Sequence, residues 1–152
     1  MIHYTGCTSP FGSLLIGLEG DSVVSLRLAT DSLPEESPCP TAQAVIHQLQ
    51  EYFSGTRMNF DIPLSLRGTP FQQRVWQELA NIPYGQTRTY GEIAAAIGKP
   101  GAARAVGMAC NRNPIWLVIP CHRVVGKNGA LTGYEGGLEM KQKLLELEQT
   151  FA

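Results

Sequence analysis

The chain has 152 residues, 43% of them hydrophobic, and a formal net charge of −1. That is enough apolar material for one ordinary domain or two small ones. No uncharged apolar run is long enough to cross a bilayer, and the opening MIHYTGCTSP lacks the basic and apolar regions of a secretory signal, so a soluble cytosolic protein with no membrane partner is predicted.

Residues 11–29 alternate apolar and polar side chains around Gly20-Asp21, which predicts that a strand, a tight turn and a second strand open the chain as a hairpin. Residues 31–40 carry three prolines and are expected as a surface loop. Thr41 then reads as the N-cap of a helix with Ala44, Val45, Gln48, Leu49, Tyr52 and Phe53 at helical spacing, ended by Gly55. A short strand is predicted at 60–66. The style changes at Gly68-Thr69-Pro70: Thr69 with Gln72 forms a capping box, Pro70 sits at the first helical position, and Phe71, Val75, Trp76 and Leu79 form an apolar face. The domain boundary is placed here, giving domains 1–67 and 68–152.

Thr89 and Glu92 make a second capping box for a short helix over 90–97, closed by Gly98. After the turn Lys99-Pro100-Gly101, residues 102–110 (AARAVGMAC) form another helix, so the pair is a helix-turn-helix candidate or simply two packed helices. Ala102, Ala103, Ala105 and Gly107 are small around Arg104, so a backbone could approach a groove while one cation projects. Residues 115–119 (IWLVI) read as a buried strand or extended segment leading to Pro120-Cys121-His122-Arg123. Residues 133–137 (GYEGG) are a glycine-rich loop, and 138–149 read as a helix with Leu138, Leu144, Leu145 and Leu147 as core positions.

Charge is unevenly distributed. Residues 1–66 hold two basic and seven acidic side chains, whereas 86–130 hold six basic ones (Arg88, Lys99, Arg104, Arg112, Arg123, Lys127) against Glu92 alone. A local basic surface for phosphates on an otherwise solvated protein has this pattern, as does chance clustering. The four cysteines (Cys7, Cys39, Cys110, Cys121) are expected as free thiols in a reducing compartment, none with C-x-x-C spacing, and the spacing of Cys7, Cys39, His3 and His47 calls for no metal.

Thiolate, not thiol, is the nucleophile, so a reactive cysteine needs a base or positive field beside it. Cys121 is followed by His122 and Arg123, and Glu148 lies on a helix that could return to orient the imidazole. Neighbouring residues of an extended chain point to opposite sides, so contact between His122 and the thiol through a water is as open as direct contact.

Pro120-Cys121-His122-Arg123-Val124 resembles the active-site signature of the methylated-DNA–protein-cysteine methyltransferases, the O6-alkylguanine-DNA alkyltransferases. The similarity runs from Thr69 to Glu148 through Phe71-Gln72-Gln73-Arg74-Val75-Trp76, Ile82-Pro83-Tyr84-Gly85, Tyr90-Gly91, Ala103-Arg104-Ala105-Val106-Gly107, Asn113-Pro114 and Tyr134, over half the chain. It implies a ribonuclease H-like α/β N-terminal domain and a mostly helical, winged helix-turn-helix-like C-terminal domain that puts its recognition helix in the minor groove. It implies that an alkyl group moves from O6-alkylguanine in double-stranded DNA, chiefly O6-methylguanine with O4-methylthymine as a further substrate, to Cys121 in one turnover without cofactor; a monomer is expected because the sequence shows no heptad seam.

By motif position, His122 is then the base acting through water, Glu148 its orienting partner, Asn113 the brace of the active-site turn and Tyr90 a donor to the guanine ring. Arg104 fills the gap left by the flipped base, with Thr89, Tyr90, Ala103 and Arg123 also facing DNA. Val124, Tyr134, Glu135, Gly136 and Trp116 line the substrate pocket. Glu135 stands where the family often has a small residue, and Trp116 is bulky for a pocket rim; core packing is its simpler role. Rival readings are a non-repairing lesion-recognition module of the alkyltransferase-like type, against which Cys121 argues, a sequence-specific transcription regulator, and a thiol hydrolase; the last two leave Tyr90, Arg104 and Asn113 together unexplained.

Overall fold

Alternation in the first third of the chain produces an antiparallel sheet in the order β1 (Ile2–Ser9), β2 (Gly12–Glu19), β3 (Ser22–Leu28). The computed structural model describes residues 1–34 and 39–152. The chain divides into two compact units, Met1–Leu66 and Arg67–Ala152. The β2–β3 hairpin turns at Gly20-Asp21 as expected, and Leu14, Ile16, Leu18, Val23 and Leu26 form its buried side. It does not open the chain, however: β1 precedes it and pairs with β2 along its whole length, from Ile2 opposite Glu19 to Ser9 opposite Gly12. The inward positions of β1 are taken by Thr5 and Cys7, small and weakly apolar, so the period-2 signal is muted there.

Helix α1 (Pro40–Phe53) packs on this sheet through Ala42, Val45, Ile46, Leu49 and Tyr52. Its N-cap is Cys39 rather than Thr41, and no side chain caps it. Pro40 occupies the first turn, where its fixed φ is already helical and its missing N–H costs nothing, so the helix starts earlier than the hydroxyl suggests. The strand expected at 60–66 reduces to one parallel bridge between Val23 and Leu64, with Val23 N–H donating to Pro63 O at 2.9 Å. Pro63 itself has no N–H to extend the ladder. The proline-rich loop read at 31–40 lies partly outside the described residues.

In the second unit, α2 (Pro70–Leu79), α3 (Tyr90–Ala96) and α4 (Ala103–Asn111) pack on one another, and α5 (Leu138–Phe151) closes the chain. Both expected capping boxes form: Thr69 Oγ1 accepts from Gln72 N at 3.1 Å and Thr89 Oγ1 from Glu92 N at 3.0 Å, with each glutamine or glutamate side chain returning the bond. Val75, Trp76, Leu79, Ile93, Ala94, Val106 and Ala109 make the core. Trp76 anchors α2 to α4 by donating Nε1–H to Ala109 O at 2.9 Å. A short parallel pair, β4 (Arg88–Thr89) with β5 (Val124–Val125), ties the start of α3 to the segment after Cys121.

Two expectations fail in this unit. Residues 115–119 are buried but not extended: Leu117 has φ 70°, and Ile119 N–H bonds Ile115 O at 3.1 Å. Asn113 imposes the turn, accepting from Ile115 N–H at 3.0 Å and donating to Ile119 O at 2.7 Å. On α5 the buried face is Met140, Lys141, Leu144 and Glu148, while Leu138 is 49% exposed and Leu145 and Leu147 are half-buried. Two charged side chains occupy core positions with polar partners inside, Glu148 with His122 and Arg123 and Lys141 with the Thr132 carbonyl. No described helix is long and apolar enough to cross a membrane, and the four cysteines are free.

Candidate active site

The turn stapled by Asn113 delivers the chain to Pro120 and a single 3-10 turn, Cys121–Arg123. Cys121 N–H donates to Ile119 O at 2.8 Å, the same carbonyl that Asn113 holds, so Asn113 fixes the backbone on which the thiol sits. Cys121 is 6% exposed. Burial pushes its thiol up to about 11, against the opposing pull of a hydrogen bond with Asn113 and the charge of Lys141. At neutral pH it is therefore a thiol, and reaction requires a base that removes its proton.

His122 and Glu148, both fully buried, have the chemistry of such a base. His122 Nε2 lies 2.7 Å from Glu148 Oε2. A carboxylate only accepts, so the hydrogen is on Nε2 and the basic lone pair is on Nδ1. Nδ1 is buried and has no protein hydrogen-bond partner among the described residues. Burial lowers the His122 pKa despite the stabilising Glu148, which leaves the resting ring neutral and able to accept. Burial also works against the Glu148 carboxylate, but the hydrogen bonds and charges of His122 and Arg123 outweigh it and hold its pKa at about 2.

Arg123 is expected at the DNA surface, and the structure corrects this. It is 5% exposed, with Nε 2.8 Å from Glu148 Oε1, Nη2 3.0 Å from Oε2 and Nη1 donating to Ile82 O at 2.7 Å. A carboxylate buried beside a neutral imidazole needs a full countercharge, and the guanidinium fork provides it with matched geometry. The same fork, with Gly85 N–H donating to Glu148 Oε1 at 3.3 Å, fastens the Ile82-Pro83-Tyr84-Gly85 loop to α5.

The other side of the thiol is more open. Tyr90, first residue of α3, is half-buried; its hydroxyl donates to Thr132 O at 3.3 Å and accepts from Thr132 Oγ1 at 3.3 Å. Gly107 of α4 lies under its ring, where an added Cβ would stand 3.7 Å from Cε1. Trp116 and Tyr134 meet with ring centroids 5.7 Å apart. A Cβ on Gly136 would fall 2.9 Å from the Tyr134 ring and 3.1 Å from that of Trp116, so only glycine allows this wall to close. Val124 is fully buried, and Glu135 is exposed. Arg104 is exposed on α4 and Ala103 half-buried, while the Thr89 hydroxyl is committed to its cap.

Cys121, His122, Glu148, Asn113 and Arg123 thus gather in one buried cluster, with Tyr90, Tyr134, Glu135 and Lys141 close enough to bear on its charges. Lys141 is absent from the sequence reading. It is fully buried, donates Nζ–H to Thr132 O at 2.8 Å and stands 5.8 Å from the Tyr90 ring centroid. Its position seven residues before Glu148, two turns along one face, is the signal that locates it. Cys110 is a second buried thiol, pushed up to about 12 by burial and then by the neighbouring Cys121.

Comparison with known proteins matches both units. Residues 2–66 fit the family model of the 6-O-methylguanine DNA methyltransferase ribonuclease-like domain, and residues 70–150 that of the DNA binding domain of the same family. A methylated-DNA–protein-cysteine methyltransferase of Mycobacterium tuberculosis is 50% identical over 157 residues, covering 100% of this chain and 95% of that protein. One of Methanosarcina barkeri is 60% identical over 154 residues, covering 97% and 98%. The crystal structure of the M. tuberculosis protein OGT in complex with DNA superposes with a TM-score of 0.90 at 50% identity, covering 99% of this chain and 94% of that one. The expected fold, an α/β ribonuclease-like domain followed by a largely helical DNA-binding domain, is therefore the observed one.

Proposed function

The chain belongs to the 6-O-methylguanine DNA methyltransferase family, and from that premise we propose how its own residues reverse alkylation damage in DNA. The protein is a methylated-DNA–protein-cysteine methyltransferase that takes the alkyl group of O6-alkylguanine, chiefly O6-methylguanine and also O4-methylthymine, onto Cys121. It works as a monomer in the cytoplasm, without a cofactor. No heptad seam or other self-association element is evident in the sequence.

The reacting carbon is stacked inside the duplex, so the nucleotide rotates out at a cost of a few kcal/mol. Arg104, exposed on α4 among small residues, enters the gap, while Ala103 and the backbone at Thr89 approach the strand. The extruded base enters between Tyr90 and the wall of Trp116, Tyr134 and Gly136, with backbone groups of Cys121 and Val124 reading its exocyclic amine. Cys121 passes its proton to His122 Nδ1 through a water, and Glu148 stabilises the imidazolium that results. The thiolate attacks the alkyl carbon in line, the carbon–O6 bond breaks with its electron pair leaving on guanine, and Tyr90 supplies a proton to the ring. The product thioether has no carbonyl for water to attack, so each molecule acts once.

The observation that carries this reading is the buried His122–Glu148–Arg123 cluster beside Cys121, its one unpartnered ring nitrogen being the basic one. A lesion-recognition module would need no such base, and Cys121 argues against that alternative. Mass spectrometry after incubation with a duplex containing one O6-methylguanine tests it. One methyl on the Cys121 peptide, at one equivalent per protein and absent with Cys121→Ala or undamaged DNA, is the expected result. Lesion binding without methylation, or sustained release of free alkyl product with Cys121 unmodified, would overturn it.

A further inference from the structure

Thr132 is not among the motif residues that identify the acceptor and relay, and it lies in the loop between β5 and α5, yet it meets both Tyr90 and Lys141. Its Oγ1–H donates to the Tyr90 hydroxyl oxygen at 3.3 Å, and its carbonyl accepts from Tyr90 and, at 2.8 Å, from the Lys141 ammonium. Its methyl faces Gly126, with Cγ2 3.3 Å from where a Cβ on that glycine would stand. The hydroxyl is thereby turned toward Tyr90, and the residue is anchored to α5 through a buried cation.

We propose that Thr132 is a positioning residue for alkyl transfer, its hydroxyl holding the Tyr90 phenol in place and stabilising the phenolate left when Tyr90 gives its proton to the departing guanine. In the resting protein the Tyr90 proton rests on the Thr132 carbonyl. When the base arrives, that proton is redirected to the ring, negative charge develops on the phenolic oxygen, and a donor already aimed at that oxygen strengthens just as the charge appears. Lys141, bound to the same carbonyl and 5.8 Å from the phenol ring, adds positive field. The groups that bear on Tyr90 are Thr132, which lowers its pKa, and burial with Cys110 and Cys121, which raise it; burial is the largest and leaves the net shift upward. The proton balance is closed: Cys121 loses one to His122, guanine gains one from Tyr90, and solvent returns the His122 proton to Tyr90 afterwards.

The inference rests on Tyr90 being the donor, and the experiment separates the two. Single-turnover rates on a duplex with one O6-methylguanine are measured for wild type, Thr132→Val, Thr132→Ser, Tyr90→Phe and the Tyr90→Phe/Thr132→Val double variant. Thermal melts check the fold of each. Thr132→Val keeps the methyl against Gly126 and the carbonyl for Lys141 but loses the donor, and is expected to slow transfer about three- to tenfold. Thr132→Ser should restore the rate, and Thr132→Val should cost nothing further in the Tyr90→Phe background. Labelled-tyrosine NMR titration should place the Tyr90 pKa higher in Thr132→Val than in wild type or Thr132→Ser. A slow Tyr90→Phe with an unimpaired Thr132→Val, or an equal Thr132→Val loss with and without the phenol, would overturn the role of Thr132 alone. A wild-type rate in Tyr90→Phe would remove the donor and this inference with it.

Discussion

The two sides of Cys121 are built on opposite principles. Toward α5 the thiol's neighbours form a tight cluster in which His122, Glu148 and Arg123 are all buried and joined by bonds of 2.7, 2.8 and 3.0 Å, with His122 Nδ1 left unpartnered among the described residues. On the side of α3, Tyr90 and Glu135 bear on the thiol and are half-buried or exposed, with bonds of 3.3 Å joining Tyr90 to the exposed Thr132, and Arg104 is exposed on α4. On the proposed mechanism the proton acceptor must be ready before substrate arrives, which fits its preorganised bonds. Groups that meet an extruded base must exchange their partners for it, so they are held loosely. On the closed side a lost partner should cost stability and chemistry together; on the open side, function alone.

The largest expected effect is at Glu148. Glu148→Gln removes the countercharge bonded to Arg123 and replaces the charged acceptor of His122 Nε2–H by a neutral amide, leaving a buried cation without its carboxylate, at about 3–5 kcal/mol. Transfer should fall by about a hundredfold or more as the base loses its orientation. The effect on stability is pH-dependent. The folded-state pKa of Glu148 lies at about 2, below its ordinary 4.5, so its contribution is complete above about pH 4.5 and is lost as pH falls toward 2. Denaturation of both proteins across that range should show the gap narrowing; a constant gap would mean that the carboxylate is not the source of the stabilisation.

Arg104 and Arg123 set the two sides against each other with one residue type. Arg123→Ala should lower the melting temperature and slow transfer from duplex and from a free O6-alkylguanine base alike. Arg104→Ala should leave the melt unchanged and slow repair of duplex DNA about tenfold, while sparing the free base, which needs no extrusion. If both variants lose only duplex repair, Arg123 reaches DNA after all and the division between the two sides is wrong.

What could be read in the sequence follows the same line. The capping boxes at Thr69 and Thr89 and the β2–β3 hairpin are local patterns whose meaning is complete within a few residues, whereas the 3-10 turn at Cys121–Arg123 stands where the sequence reads as an extended chain. Arg123 beside the acceptor reads as a phosphate contact because nothing near it shows that a carboxylate 25 positions later claims it. Lys141 reads as part of the polar face of an amphipathic helix, with Leu138, Leu145 and Leu147 in its core beside the buried Leu144, because hydrophobic periodicity has no symbol for a cation held inside by a carbonyl. The turn at 115–119 depends on Asn113 spending both ends of its amide on the backbone, which composition alone does not show. Local geometry was thus visible in the chain, and the resemblance supplied the His122–Glu148 pair, whereas the claims of Arg123 on Glu148 and of Lys141 on the Thr132 carbonyl were not visible.

Glu135 is the smallest test and bears on how open the open side is. Its carboxylate raises the Cys121 pKa, yet it is the least of the causes acting there, behind burial, Asn113 and Lys141. Exposed, it is screened by salt over about 8–10 Å at ordinary ionic strength. Glu135→Ala should therefore change the rate of methyl transfer by no more than about twofold, in the direction of faster reaction, with most of that difference vanishing as salt is raised. A large acceleration that persists at high salt would place the carboxylate against the departing O6, inside a pocket drier than its exposure implies, and the loosely held side of the site would then be loose only until DNA closes it.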